Sequence, residues 1–191
     1  MILPIYLYGS EVLREEAREV ESDSAELQSL IDDMIETMRG AAGIGLAGPQ
    51  VGRELRLFVV DLDPLREDLE ADGEEIPEQP MVFINPEIVS ESDEVVAFEE
   101  GCLSIPDIRY DIDRPAEVVI RYLDRDFNEQ TLAAAGMLAR VVQHEYDHIE
   151  GVLFVDYLSS LKRKLIARRL RDISAGAIES EYPVLAPLQQ A

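Results

Sequence analysis

Apolar residues recur at helical spacing in the N-terminal part of the chain. Six leucine, isoleucine and methionine residues follow this spacing and predict an amphipathic helix over about residues 23–39. Ser22 stands where a helix N-cap is expected, and Gly40 stands where a helix commonly ends. Two further helices are predicted, one over about residues 134–150 and a last one over about residues 157–174.

Short runs of branched and aromatic residues predict strands between the first two helices. These runs cover residues 55–62, 82–84, 88–89, 95–98, 116–123 and 131–132. Because strands and helices segregate along the chain rather than alternate, the pattern favours an α+β fold over a doubly wound sheet. We expect mostly antiparallel strands in small sheets, packed around the second predicted helix, together with a C-terminal helix.

Glycine, proline and acidic residues mark the expected loops. Residues 43–52 are rich in glycine and predict a loop. Residues 63–80 are rich in acid, proline and glycine, which predicts an exposed loop and the least ordered segment of the chain. Residues 175–191 are expected to form a polar tail. Neither an internal repeat nor a boundary between two cores is visible, so we expect a single domain over residues 1–191.

The composition is strongly acidic. Forty aspartate and glutamate residues face seventeen lysine and arginine residues, which gives a net charge of −23. Such a surface repels nucleic acid over most of its area, so no DNA partner is expected. Two explanations for the acidity stay open: adaptation to a high-salt cytoplasm, where ions screen self-repulsion, and acidity without such a role.

Several features indicate a soluble cytoplasmic protein. The first residues are apolar but lack the basic region of a signal peptide. No apolar run approaches the roughly 20 residues that span a bilayer, so no membrane partner is expected. The single cysteine, Cys102, cannot form an internal disulfide, and a reduced thiolate suits a reducing compartment.

Both histidines and the cysteine fall inside two short motifs. His144 and His148 lie four residues apart in a His-Glu-x-x-His sequence on the second predicted helix, so both rings can face one ion. Cys102 lies in a Glu-Gly-Cys-Leu-Ser turn directly after an apolar strand. Two nitrogens and one sulfur leave a tetrahedral position open for water, which is typical of a catalytic metal site. Glu145 is placed to reach that water.

A zinc protease is the obvious alternative. The metzincin pattern requires a third histidine six residues after the second, but Phe154 occupies that position and cannot bind a metal. Glu179 and Glu181 are available as a third ligand, although they lie in the polar tail. Neither protease pattern uses Cys102. A peptidase or other amide hydrolase stays open, whereas the open position and Glu145 disfavour a metal-binding module without activity.

Three motifs together resemble the signature motifs of bacterial peptide deformylase. They are Gly43-x-Gly45-x-Ala47-x-Pro49-Gln50, Glu100-Gly101-Cys102-Leu103-Ser104 and Gln143-His144-Glu145-x-Asp147-His148. Their order and spacing match, and the similarity runs from Pro4 to about Ser159. Gly48 replaces the usual alanine, and Asn128 stands where a turn glycine is common. Neither departure removes a chemical group.

The resemblance implies that the protein removes the N-formyl group from the initiator N-formylmethionine of newly synthesised polypeptides and releases formate. It implies one metal ion held by Cys102, His144 and His148, with Fe(II) as the physiological ion and zinc or nickel able to replace it. The metal would lower the pKa of bound water, and the resulting hydroxide would attack the formyl carbon. Glu145 would act as general base and then as general acid.

Other residues also have expected roles, of which the two oxyanion donors rest on the same resemblance. The Leu103 backbone N–H and the Gln50 side-chain amide are expected to stabilise the oxyanion. Gly45 is expected to let the loop backbone approach the substrate closely. Glu100 is expected to hold either the first motif or a metal ligand in place. Arg109 is a candidate for contact with the peptide backbone.

An apolar pocket for the methionine side chain is a further hypothesis. Its candidate lining is Ile44, Phe98, Met137, Arg140 and Val141, and simple core packing is the alternative for these residues. Asp147, in the histidine motif, is open to interpretation as an ordinary solvated helix residue.

The last predicted helix is an electrostatic exception. Six of the seventeen basic residues lie between Lys162 and Arg171. Leu158, Leu161, Leu165 and Ile166 are expected to form the apolar stripe that docks this helix. Its basic face is open to two interpretations, a solvated surface that offsets nearby acid and a contact with ribosomal RNA near the emerging chain.

Overall fold

The computed structural model describes residues 1–187, which form four α-helices and nine strands. The helices are Ala25–Gly40 (α1), Arg66–Ala71 (α2), Gly136–Ile149 (α3) and Ser160–Ser174 (α4). The strands are Ile5–Tyr6 (β1), Gly45–Ala47 (β2), Leu57–Val60 (β3), Met81–Glu91 (β4), Val95–Cys102 (β5), Ile105–Pro115 (β6), Glu117–Leu123 (β7), Glu129–Ala135 (β8) and Val184–Leu185 (β9).

The strands form three small sheets. Strands β2, β3, β4, β7 and β8 form an antiparallel sheet in that order. Strands β5 and β6 form an antiparallel hairpin, while β1 and β9 pair in parallel. The predicted α+β class, with small and mostly antiparallel sheets and a C-terminal helix, is confirmed.

The five-stranded sheet lies between two helices, as the burial of β3 shows. Leu57 and Val59 pack in the same apolar cluster as residues of α1. Phe58 and Val60 point to the other face and pack in the cluster that contains the apolar residues of α3. Because successive side chains of a strand alternate between faces, a strand covered on both sides is apolar throughout. The sheet thus supports α3, the helix that carries both histidines.

The start of α1 differs from the prediction by two residues. The N-cap is Ser24 rather than Ser22, and the Ser24 hydroxyl accepts a hydrogen bond of 3.1 Å from the backbone N–H of Leu27. Both serines suit the cap chemically. The backbone is extended at Ser24 and helical only from Ala25 onward.

The two predicted loops contain regular structure. Residues 43–52 include strand β2 and a 3₁₀ turn at Gly48–Val51, because the backbone of Gly45–Ala47 pairs with β3. Residues 63–80 include a 3₁₀ turn and helix α2, whose Leu69 is buried in the core. Acidic residues surround Leu69 in the sequence, so this segment lacks the apolar periodicity that would have predicted its helix.

The strand predictions fail most clearly at β4 and β6. Strand β4 continues through Asn85, which adopts a left-handed backbone with φ of 49° beside a shift in the register to β7. The Asn85 side chain bonds both the N–H and the carbonyl of Val20, which holds this irregularity in place. Strand β6 was not predicted, because its charged residues interrupt the apolar alternation.

The C-terminal part of the chain also differs from the expectation. Helix α4 docks through Ile166, Leu170 and Ile173. Leu161 and Leu165 are instead 69% and 72% exposed, so the predicted docking stripe is wrong at these two positions. Residues 175–187 include β9, so they are not simply a polar tail, and residues 188–191 lie outside the described residues. Within the described range, none of the helices combines the length and apolar character that crossing a bilayer requires.

Candidate metal centre

Three side chains with metal-binding atoms meet where β5 ends against α3. The sulfur of Cys102 and a ring nitrogen each of His144 and His148 lie within 4.8 Å of one another. The Cys102 Sγ is 3.2 Å from the His148 Nε2. Ligand bonds of roughly 2.0–2.3 Å around a single ion leave the ligand atoms about 3–4 Å apart. The structure thus brings together the three predicted ligands at a spacing that suits one ion.

Both imidazoles are oriented toward this point. The Nδ1 of His144 lies 2.8 Å from the Oε2 of Glu100, which leaves the other ring nitrogen facing Cys102. A carboxylate that holds the distal nitrogen is the usual support of a metal-binding histidine. Burial lowers the pKa of His148 well below its usual value, so its ring is in the neutral form that binds a metal.

Glu100 is the centre of a buried ionic cluster. Its Oε1 accepts hydrogen bonds from Arg114 at 2.6 Å and from Arg140 at 2.8 Å. Its Oε2 accepts a second bond from Arg114 and faces His144. Burial alone would raise the pKa of Glu100, but the hydrogen bonds with His144 and Arg114 hold that pKa well below its usual value. Glu100 is therefore a carboxylate that fixes the orientation of His144.

Two residues on α3 make contacts that the sequence did not predict. Arg140 was a candidate for the pocket wall, and it lines the cavity, but its guanidinium turns to Glu100 and to the carbonyls of Val96 and Ile112. Asp147 is not a freely solvated helix residue. It pairs with Arg114 at 2.7 Å, so it belongs to the same ionic cluster.

Glu145 lies directly behind Gly45. The carboxylate is buried, and its Oε2 has no hydrogen-bond partner among the residues that the structure describes. Burial raises the pKa of Glu145 to about 7. A methyl group added to Gly45 would lie 2.8 Å from the Glu145 Cδ and closer still to Oε1. The missing side chain at Gly45 therefore makes room for Glu145, a reason that the sequence did not reveal.

The predicted oxyanion donors lie beside the sulfur ligand. The Gln50 Nε2 is 3.5 Å from the Cys102 Sγ and 3.3 Å from the Ser104 hydroxyl. The Gln50 side-chain oxygen, Oε1, accepts a hydrogen bond of 2.8 Å from the Ala47 N–H, which fixes the orientation of the side-chain amide. Leu103 follows Cys102 in the turn between β5 and β6.

A cavity of about 920 Å³ opens over these groups. The predicted pocket residues Ile44, Phe98, Met137 and Val141 all line it. Arg109 also lines the cavity, with an exposed side chain. The arrangement can hold one cation beside a buried carboxylate and an apolar wall.

Comparison with known proteins identifies the fold and the family. Residues 2–164 match the family model described as Polypeptide deformylase. The chain belongs to this family. The peptide deformylase of Salinibacter ruber is 57% identical over 185 residues, covering 97% of this chain and 95% of the relative. The peptide deformylase of Christiangramia forsetii is 47% identical over 190 residues, covering 98% and 97% of the two chains.

Solved polypeptide deformylases have the same fold. The crystal structure of the Ehrlichia chaffeensis peptide deformylase has a TM-score of 0.83 at 37% identity, covering 93% of this chain and 99% of that chain. The Legionella pneumophila enzyme has a TM-score of 0.80 at 40% identity, covering 93% and 98%. The predicted family is confirmed.

One wall of the cavity was not predicted from the sequence. Glu179, Ser180, Glu181 and Tyr182 line the cavity, although the match to the family model ends at residue 164. Glu179 and Glu181 were considered as metal ligands, but neither belongs to the ligand group in the described part of the chain. These residues lack a local motif, and only the return of the chain after α4 brings them here.

Proposed function

We propose that the protein removes the formyl group from the N-formylmethionyl end of newly synthesised polypeptides and releases formate. The observation that carries the proposal is the group of Cys102, His144 and His148 beside the buried Glu145, in a chain of the polypeptide deformylase family. Because such substrates are made on ribosomes in the cytoplasm, we expect the protein to work there with Cys102 reduced.

The three ligand residues are suited to one divalent cation. Their donor atoms are close enough for a single ion, and Glu100 holds His144 as expected for a ligand. When bound, such an ion supplies Lewis acidity, which polarises a carbonyl oxygen and lowers the pKa of water. Thiolate and imidazole accept iron, zinc and nickel alike, and we propose Fe(II) as the native ion from the family resemblance.

Metal analysis of protein purified without oxygen tests this assignment. We expect iron in the purified protein and loss of formate release on exposure to air, because an iron-loaded thiolate site is open to oxidation at Cys102. Zinc or nickel as the predominant ion in anaerobic protein, with activity stable in air, would contradict Fe(II) as the native ion.

Glu145 is assigned the proton transfers. Its buried carboxylate oxygen has no partner in the described part of the chain, so it is free to take a proton from the attacking water and to return it to the leaving amine. A carboxyl with a pKa of about 7 can perform both steps near neutral pH. The position of Glu145 next to His144 on α3 keeps this group beside the metal ligands.

The Leu103 N–H and the Gln50 amide are assigned to the oxyanion that develops on the formyl oxygen. The Gln50 amide lies at the ligand group, and its side-chain oxygen accepts a bond from the Ala47 N–H, so the amide is held in place before charge develops. Ile44, Phe98, Met137 and Val141 are assigned to the methionine side chain, since they line the cavity with apolar surface.

The products formed from a formyl-Met peptide test the proposed activity. We expect equal amounts of formate and of peptide with a free amino terminus, with every internal peptide bond intact. Treatment with a chelator should abolish the reaction, and addition of Fe(II) without oxygen should restore it. Cleavage of internal peptide bonds would instead support a peptidase, and the absence of formate from the metal-loaded protein would refute the proposal.

We also propose that α4 contacts ribosomal RNA. Lys162, Arg163 and Lys164 are exposed at the start of the helix, and such a basic surface attracts phosphate. Leu161 and Leu165 are exposed among these residues. Arg169 is less available because it pairs with Asp107.

Co-sedimentation with ribosomes tests this contact. Replacement of Lys162, Arg163 and Lys164 by glutamine should reduce the fraction of protein bound to ribosomes and weaken the dependence of binding on salt. A control variant with glutamine at Arg18, Arg53 and Arg121, which lie outside α4, should bind like the unmodified protein. Equal binding by both variants would contradict the proposed contact.

A further inference from the structure

The chain returns to the metal centre after α4. Strand β9 pairs with β1, with backbone bonds of 2.9 Å from Ile5 to Pro183 and 3.0 Å from Leu7 to Leu185. This pairing anchors Tyr182, the residue before Pro183, at the cavity. The segment lies beyond residue 164, where the match to the family model ends.

Tyr182 contacts the motif that supplies the sulfur ligand. Its hydroxyl donates a hydrogen bond of 2.8 Å to the backbone carbonyl of Leu103. The ring of Tyr182 is half-buried and packs against the same apolar cluster as the Leu103 side chain. The packing of the ring and the hydrogen bond of the hydroxyl together hold Tyr182 against Leu103.

The hydrogen bond from Tyr182 reaches the tight turn between β5 and β6. Cys102 pairs with Ile105, so Leu103 and Ser104 are the two residues of the turn between β5 and β6. The Ser104 carbonyl accepts a bond of 2.9 Å from the Tyr8 N–H, and the Ser104 hydroxyl is 3.3 Å from the Gln50 amide. These bonds hold the Ser104 side of the turn, while the bond from Tyr182 holds the peptide group that joins Leu103 to Ser104.

We propose that Tyr182 is a positioning residue for the removal of the formyl group. By holding the peptide group that follows Leu103, it limits rotation of the Leu103 backbone, so that the Leu103 N–H in the preceding peptide group keeps the orientation required of an oxyanion donor. This inference rests on the proposed function. Tyr182 itself need not touch the reacting atoms. A donor that is already in place when charge develops is worth more than one that must reorient.

The variant Tyr182→Phe tests the proposal because it keeps the ring and removes only the hydroxyl. With zinc-loaded protein and a formyl-Met peptide, we expect kcat to fall roughly three- to tenfold, as for the loss of one neutral hydrogen bond, with KM and zinc content unchanged. The Ser104 amide resonance should also move in the NMR spectrum, because its N–H shares a peptide group with the Leu103 carbonyl. The matched control is Tyr110→Phe, which also removes one tyrosine hydroxyl. Tyr110 lies on β6, in the hairpin whose turn contains Leu103, and it is not among the described residues that line the cavity.

The outcomes separate this proposal from the proposed function. A kcat equal to that of Tyr110→Phe, or a higher KM with kcat unchanged, would overturn the positioning role. An unmoved Ser104 resonance would refute the contact itself. Absence of formate release by the unmodified protein would refute the proposed function instead, and the NMR measurement would still report whether the contact exists.

Discussion

Gly45 and Glu145 lie against each other although they are far apart in the chain. The carboxylate of Glu145 occupies the volume that a side chain at Gly45 would fill. The sequence suggested that this glycine brings the backbone close to the substrate. The structure gives a more direct reason, since glycine is the residue that leaves the carboxylate in place.

We predict that Gly45→Ala displaces the Glu145 carboxylate and lowers kcat. Positioned acid–base catalysis contributes on the order of 10²–10⁴ in rate, so a loss of at least about tenfold is expected. Steady-state kinetics with a formyl-Met peptide measure the loss. Metal content should not change, because Cys102, His144 and His148 are not displaced. Unchanged kcat in the alanine variant would contradict the assigned role of Gly45.

The proposed metal ligands and Glu100 were predictable, but the groups that hold Glu100 and the turn at Leu103 were not. His144 and His148 follow a local pattern on a helix, and Cys102 lies in a short motif, so both signals are visible in the sequence. Arg114 and Tyr182 come from distant segments and lack a local signal. Only the pairing of β5 with β6 and of β1 with β9 brings them to the site.

We predict that Glu100→Gln weakens metal binding about 10- to 100-fold, because the neutral amide holds His144 less well. The variant also leaves Arg114 and Arg140 without their shared carboxylate, so the melting temperature should fall. Competition with a chelator measures the affinity. Glu99→Gln is the matched control, since the exposed Glu99 pairs with Arg109 rather than with a ligand. Equal metal affinity in the two variants would contradict the role of Glu100.

At the scale of elements, apolar periodicity predicted the long helices and failed where tertiary contacts shape the backbone. Helices α1, α3 and α4 were expected, because each has a regular apolar face. Strand β4 continues through Asn85 because the Asn85 side chain bonds Val20, a contact between distant segments. Helix α2 was missed because its single buried residue, Leu69, is surrounded by acidic residues.

The cap of α1 provides a direct test of an element boundary. Ser24→Ala should lower the free energy of unfolding by about 1 kcal/mol, because the Leu27 N–H loses its hydrogen-bond acceptor. Ser22→Ala should have almost no effect, since Ser22 precedes the cap. Urea denaturation measures both values. Equal destabilisation by the two substitutions would show that the cap is not at Ser24.

At the scale of the whole molecule, the charge is distributed unevenly. The net charge is −23, while six basic residues lie together on the last helix. Exposed like charges repel one another over about 30 Å in 0.01 M salt and about 3 Å in 1 M salt. The acidic surface therefore opposes the compact state most strongly in dilute buffer.

We predict that the melting temperature rises as potassium chloride increases from low to molar concentration. Chloride is the appropriate salt, because sulfate would stabilise the protein by exclusion from its surface as well. Differential scanning calorimetry at a series of salt concentrations measures the change. No gain in melting temperature would contradict both the self-repulsion and the interpretation of the acidity as an adaptation to salt.

The most direct test of the proposed function is the rate of formate release by Glu145→Gln compared with the unmodified protein at equal metal content. Glutamine keeps the size of Glu145 but cannot transfer the proton. We predict that the variant binds the metal as before and releases formate about 10²–10⁴ times more slowly from a formyl-Met peptide. Formate release at the unmodified rate by the metal-loaded variant would contradict the assignment of Glu145 and of this site.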